Sequence, residues 1–423
     1  MGKDKGASLL GQTAWLLRQF RKKIWVRASL FSGAAVIVAL LAAFVGPYLP
    51  YDPSLTLAAG SVDHILNILA TSMLAVTTFS LSIMVAAYSA ATSNVTPRST
   101  KLLLTDSVAQ NTLATFVGSF LFSIVGVIGL AAGIYGGKGR IILFFATLVV
   151  LFVIVATLLR WIEQLGKFGR VGDTIRRVEE ATLPAFRQAG RLPRLGAQPQ
   201  VPISNQAQAI NAARCGIVVH IDVARLDEIA KENDLTVHLG AMPGSLVHPS
   251  RPVIHVQPSA ADGVVEDLRA CVTVEDDREF EQDPRFGVIV LSEIASRALS
   301  PAVNDPGTAI EVLGAGLRVF LAFAAAADER EDGPFNHVHA PDLNIDDLFL
   351  SFFNPITRDG AALAEVQLRV LVVLQALGGR SPAMFGAAVA RHAAFVAEQA
   401  KRSLVMDHDR CLIVATSKEL MAR

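Results

Sequence analysis

The run HILNILATSMLAVTTFSLSIMVAAYSAATS, from His64 to Ser93, limits what this chain can fold into. It contains no Asp, Glu, Lys, Arg, Pro or Gly. As a helix it exceeds the roughly 20 residues needed to cross a bilayer core. Its polar residues keep helical register: His64, Asn67, Thr71, Thr78, Ser82, Ser89 and Ser93 follow one another at steps of three, four or seven, which places them on one face. Ala75 and Ala86 fill the gaps, while Ser72, Thr77 and Ser80 lie off the stripe. Two readings stay open. Small and hydroxyl residues let helices pack closely, and the same stripe also suits a wetted surface facing a polar path.

Composition places this run in a membrane-embedded first part. The 423 residues allow two or three domains, and the excess of apolar residues (52% overall, mean hydropathy +0.43) lies in the first 165. Formal net charge is zero, which gives no footing for nucleic-acid binding. Cys215, Cys271 and Cys411 are few, odd in number and far apart, so neither a disulfide framework nor a zinc ribbon is expected.

Spans are predicted at about 28–46, 62–91, 111–134 and 140–161. The third carries Gly118, Gly126, Gly129 and Gly133, a spacing that favours close helix contact. The first lacks a small-residue cleavage site and is read as a retained helix. Arg18, Arg21, Lys22, Lys23 and Arg27 precede span one, Arg98 and Lys101 separate spans two and three, and Arg160, Lys167, Arg170, Arg176 and Arg177 follow span four. All lie on one side of a four-span topology, with Asp52 and Asp63 opposite and only Lys138 and Arg140 against the rule. The positive-inside rule then puts both termini in the cytoplasm. Trp15, Trp25, Tyr48 and Trp161 fall near the interfaces, and Pro97 to Val108 reads as a short helix on the membrane or capping the bundle.

Beyond residue 165 the composition turns soluble. A helix and a linker rich in Pro, Gln and Gly are expected over 166–212, a small α/β subdomain over 213–280 and a helical subdomain over 281–423. The fold class is an integral membrane α-helical protein with a C-terminal cytoplasmic α+β domain that ends mostly in helices. Strands are predicted at Gly216 to Asp222, Leu235 to Gly240 and Cys271 to Glu275, in a small barrel-like or mixed sheet. The acidic stretch Asp328 to Asp342 reads as an insert. Later helices are expected near Asp346 to Phe353, Asp359 to Leu377, Ala383 to Leu404 and His408 to Met421. Two helices flank Ser300-Pro-Ala-Val-Asn-Asp-Pro306, where the prolines stop the first and Asn304 or Asp305 caps the second.

The residues Asp283-Pro-Arg-Phe-Gly287, Glu293-Ile-Ala295 and Arg297-Ala-Leu-Ser-Pro-Ala-Val-Asn-Asp-Pro306, with Thr308-Ala309, resemble a bacterial membrane-protein family, domain of unknown function 2254. The resemblance covers most of the chain, and the Ser-Pro-x-x-Asn-Asp-Pro run is its specific part. It implies an inner-membrane protein and no particular activity. Gly244-Ser245-Leu246-Val247 departs from that family's usual Gly-Asp-Phe-Val.

Familiar catalytic signatures (Walker A, GxGxxG after a strand, HExxH, CxxC, GxSxG) are missing from the sequence, so no enzyme activity and no cofactor are expected. His337-Val-His339 with Asp342, Asp346 and Asp347 reads as a solvated loop rather than a metal site, and His238, His248 and His255 as surface residues. Glu293, Arg297, Ser300, Asn304 and Asp305 suit either a capped helix-turn-helix with an internal ion pair or a ligand or gating site. No charged residue lies deep in a span, which counts against a coupled carrier.

Two functions remain. One is a homo-oligomeric channel for inorganic ions, lined by the stripe and regulated by the cytoplasmic domain. The other is a membrane-anchored sensor or scaffold without transport. The lipid bilayer is the expected partner in both; nucleic acid is not.

Overall fold

The computed structural model describes residues 24–45, 56–94, 96–104, 107–135, 137–166 and 170–422. They fall into two units. One contains the described residues between 15 and 93 and between 100 and 170; the other contains those from 94 to 99 and from 171 onward. Of the four interface aromatics singled out above, Trp15 and Tyr48 lie outside the described residues.

The first unit is built from α1 (Ile24–Val45), α2 (Thr56–Asn94), α4 (Ser107–Ala131) and α5 (Gly137–Leu165). Between α2 and α4 lies the short α3 (Pro97–Leu104), where the chain passes between the units. Phe44, Phe79, Phe145 and Phe152 are all more than half exposed. Apolar surface on that scale marks a face that meets a membrane or another protein. Inside, Val62 and Leu66 of α2 meet Ala39 of α1, Phe122 of α4 and Leu143 of α5. The glycines of α4 mark close contacts, as their spacing predicts. A Cβ at Gly118 would stand 3.2 Å from the Phe31 carbonyl oxygen, and one at Gly129 only 2.5 Å from the Tyr135 ring. The Tyr135 hydroxyl donates to the Ala39 carbonyl at 2.9 Å.

Among the described residues four helical segments are long and apolar enough to cross a membrane: Ser61–Ala86, Val108–Ala131, Lys138–Leu165 and Pro306–Asp328. In α1 the apolar stretch is the shorter Ser29–Leu41. The last of the four was not among the expected spans. It is α10 (Pro306–Asp328) of the second unit, and its apolar faces are covered by protein. Phe320 lies among Phe186, Phe349, Phe352, Phe353 and Phe385, all fully buried, with ring centroids 5.3–6.3 Å from its own. Such aromatic pairs contribute about 0.5–1.5 kcal/mol each beyond their buried area. Gly316 lets the ring of Phe352 approach, since a Cβ there would lie 2.0 Å from Cζ. Arg318 leaves the same helix to make two 2.6 Å bonds with Glu179 of α6 (Val171–Arg191). An all-round apolar helix is a membrane span or a core helix, and these neighbours make α10 a core helix.

The second unit also holds two sheets. The larger has the order β1-β8-β4-β6-β2, from Ala197–Pro199, Phe335–Ala340, Thr236–Leu239, Pro252–Gln257 and Gln208–Asn211. The smaller runs β5-β3-β7, from Leu246–Val247, Gly216–Ile221 and Val272–Glu275. Helix α7 (Val223–Glu232), capped by Asp222 accepting from the Arg225 amide at 3.0 Å, buries Leu226, Ile229 and Ala230 in the shared core. Helix α8 (Asp262–Ala270) contributes Leu268.

Several expectations need correction. The linker contains strands β1 and β2, and the supposed insert supplies β8, which lies between β1 and β4 and pairs in parallel with both. Val338 and Ala340 are buried apolar residues, and this alternation was hidden among charged neighbours. His337 and His339 are therefore strand residues rather than a solvated loop; their Nδ1 atoms lie 3.3 Å from Asp227 Oδ1 and 2.8 Å from the Pro199 carbonyl. His238 is not a surface residue either. It is fully buried on β4, stacked on His339 at 5.2 Å and opposite His255 on β6. Burial pushes its pKa down, aided by His339 and His255.

After α9 (Pro284–Ala298) and α10, the chain ends in α11 (Ile345–Asp359), α12 (Ala364–Arg380), α13 (Pro382–Ser403) and α14 (Asp407–Met421). His392 on α13 is 4% exposed and packs beside Phe349, Phe353 and Phe395. Burial, reinforced by Arg391, lowers its pKa from 6.5 to about 4. The folded state thus binds the proton less well than the unfolded chain. Its contribution is fully present above pH 6.5 and is lost as pH falls toward 4, a change on the order of 3 kcal/mol. Thermal unfolding of His392→Phe, followed across this window, is expected to show a visibly weaker acid dependence than the parent.

Candidate functional site

The buried side of α2 is narrow. Val62, Leu66, Leu69, Ala70, Met73 and Ser80 are buried, with Leu69 and Met73 against Phe116, Ile154 and Trp161. At about 100° per residue, the stripe lies on the opposite side of the helix. His64, Asn67, Thr71, Thr78, Ser82 and Ser89 are all exposed in the single chain. Ser93 belongs to α2, but its side chain lies outside the described residues. The stripe therefore takes no part in packing α2 onto its own bundle.

Several of these groups bond within the helix. The Thr71 hydroxyl donates to the Asn67 carbonyl at 3.0 Å, Thr78 to Ala75 at 2.9 Å and Ser82 to Thr78 at 2.9 Å. The Asn67 amide donates to the Asp63 carbonyl at 2.9 Å. Such back-bonding satisfies hydroxyl protons and leaves oxygen lone pairs facing outward.

Packing inside the bundle uses a different polar row. Thr112, Thr115, Ser119 and Ser123 of α4 are buried, with Thr115 donating to Asn111 and Ser123 to Ser119. These residues follow one another at steps of three and four, a signal present in the sequence beside the glycines.

The second group of candidates gathers around the end of α9. The Ser300 hydroxyl donates to the Arg297 carbonyl at 2.7 Å, and the Asn304 amide to the Ser300 carbonyl at 2.8 Å. Asn304 has φ 49°, a left-handed conformation that Asn tolerates better than most residues. It does not cap α10. Asp305 does, accepting from the Thr308 amide at 3.1 Å and the Thr308 hydroxyl at 2.6 Å. Those two bonds hold its carboxyl below the usual range.

Glu293 departs from the expected ion pair inside the helix-turn-helix. Its partner is Arg98, from the segment that follows α2, and both belong to the second unit. Burial raises the Glu293 pKa, against the lowering effects of Arg98 and Thr96. Nearby, Thr96 and Ser99 are buried, and the Ser99 hydroxyl donates to the Thr96 carbonyl at 2.8 Å. Nothing in the local spacing around residue 293 signals a partner 195 positions away.

The family model described as "Predicted membrane protein (DUF2254)" matches residues 21–376. The chain belongs to this family. Uncharacterized proteins from Mycobacterium bovis and from two strains of Mycobacterium tuberculosis are each 48% identical to it over 59 residues. That stretch is 13% of this chain and 11% of each relative. No solved structure matches.

Arg98 is more than half exposed, so its pairing with Glu293 has a modest energy. A double-mutant cycle with Arg98→Ala and Glu293→Gln is expected to give a coupling of about 0.5–1 kcal/mol in the unfolding of the full chain. A coupling of zero would remove the link.

Proposed function

We propose that α1, α2, α4 and α5 span a bacterial inner membrane with both termini in the cytoplasm, and that several copies surround an ion-conducting path lined by α2. One observation carries this reading: the polar stripe is exposed on the single chain, opposite the face by which α2 packs. Lipid is a poor solvent for outward-facing oxygen lone pairs, whereas water or a second copy of the same helix is a good one. Closed rotational symmetry would bring one such stripe per subunit to a common axis. Regulation follows from chain connectivity. α2 continues directly into the segment that carries Arg98, so a rearrangement at Glu293 acts on the helix that lines the path.

A second reading has its own support. The hydroxyls of Thr71, Thr78 and Ser82 already bond to their own helix, which lowers the cost of lipid exposure. In that case the helices only anchor the C-terminal unit as a sensor or scaffold.

Ion flux from liposomes containing the purified chain separates the two. The channel predicts flux that falls about tenfold or more in Thr78→Leu and Ser82→Leu without loss of assembly. Absence of flux across salt and pH, or flux unchanged in both correctly assembled variants, would leave the anchored sensor.

A further inference from the structure

The second unit encloses a cavity of about 410 Å³, a size typical of sites for small organic ligands. It opens where four parts of the unit meet. One wall is the last turns of α6, with Ala185, Gln188 and Ala189. Another is the β4–β5 loop with Met242 and Leu246, and the remaining walls are the N-termini of α9 and α11. Both of those helices direct the positive ends of their dipoles toward it.

Four arginines line the space: Arg194, Arg251, Arg278 and Arg285. Two are committed elsewhere. Arg278 makes 2.8 Å and 2.6 Å contacts with Asp283, which is 3% exposed and also caps α9 through the Phe286 amide. Gly244, at φ +88°, lets the loop close over this pair; a Cβ there would lie 2.4 Å from Asp283 Oδ2. Arg194 is nearly buried and pairs with Asp342 at 2.5 Å. The other two are differently placed. Among the described residues the Arg251 guanidinium has no carboxylate partner and donates to the Leu246 carbonyl at 2.8 Å. Arg285 donates to the Ser351 hydroxyl at 2.9 Å and lies 4.0 Å from Asp347.

Much of the remaining lining is apolar, including Leu195, Met242, Leu246 and Leu348. An apolar lining and two incompletely neutralised guanidinium groups make a specific combination. Guanidinium forks match the paired oxygens of phosphate and carboxylate.

We propose that this cavity binds a small organic oxyanion, a phosphate or carboxylate head on a compact and partly apolar body, with Arg251 and Arg285 holding the head. The site does not depend on whether the membrane unit conducts ions. Because α6 forms one wall and follows α5 in sequence, a bound ligand would also contact the first helix after the last span.

The experiment titrates the purified full chain in detergent with phenyl phosphate, benzoate and adenosine monophosphate, followed by calorimetry and by the shift in unfolding temperature. Phenyl phosphate and benzoate share a ring, so their relative affinities identify the head group; the nucleotide tests the body. Saturable binding of at least one is expected, weakened about tenfold or more by Arg251→Ala and by Arg285→Ala separately. The control Arg187→Ala, on the exposed side of α6 outside the cavity, is expected to leave affinity unchanged. Leu348→Trp, which fills the space from a second wall, is expected to abolish binding. No binding of any probe at millimolar concentration would overturn the proposal. So would binding that survives both arginine substitutions in chains whose unfolding temperature is unchanged.

Discussion

A hydroxyl group in hydrocarbon has to find a hydrogen-bond acceptor, and much of the membrane unit follows from where each one finds it. On α4 the hydroxyls turn inward, bond to their own helix and leave room for neighbouring helices. On α2 the hydroxyls of Thr71, Thr78 and Ser82 bond to their own helix as well, but face away from the bundle. The chemistry is the same on both helices, and only the surroundings differ. Packing density therefore distinguishes a seam from a surface here, where residue type does not.

The same separation of composition from surroundings applies to α10. Its length and apolarity equal those of a membrane span, yet its solvent is a cage of phenylalanine rings and its one arginine is held by Glu179. α5, which is also long and apolar enough to span, presents Phe152 and Leu159 outward. Hydropathy measures the need for an apolar environment and is silent on whether lipid or protein provides it.

Much of the architecture was legible because it rests on local signals. Uncharged runs, the prolines around residues 301–306 and the capping aspartate at 305 act over a turn or two of chain. Helix boundaries in the last hundred residues came within a few positions for the same reason, apart from α11, which runs on to Asp359 through an internal proline. What was missed is long-range. The partner of Glu293 is in another part of the chain. β8 is a short alternation flanked by Asp and Pro, and only a neighbouring strand turns it from loop to sheet. His238 is buried because two other strands flank it. The cavity was equally hidden, since its arginines come from four separate segments.

The placement of β8 has a consequence for how the protein is made. The larger sheet is built from strands at residues 197–257, but the place between β1 and β4 is filled by a strand at 335–340. At ~5–20 residues per second, the ribosome takes roughly 5–20 s to travel from β4 to β8. Throughout that interval β4 presents an open edge, the kind of surface to which a stray strand adds. During the same interval the chain produces α9 and α10, including the apolar helix most easily mistaken for a span. The nascent protein thus carries an unfinished sheet and an apolar helix covered only on the sides that α6 and α9 supply, and the rest of the cover arrives with the chain from residue 335 onward.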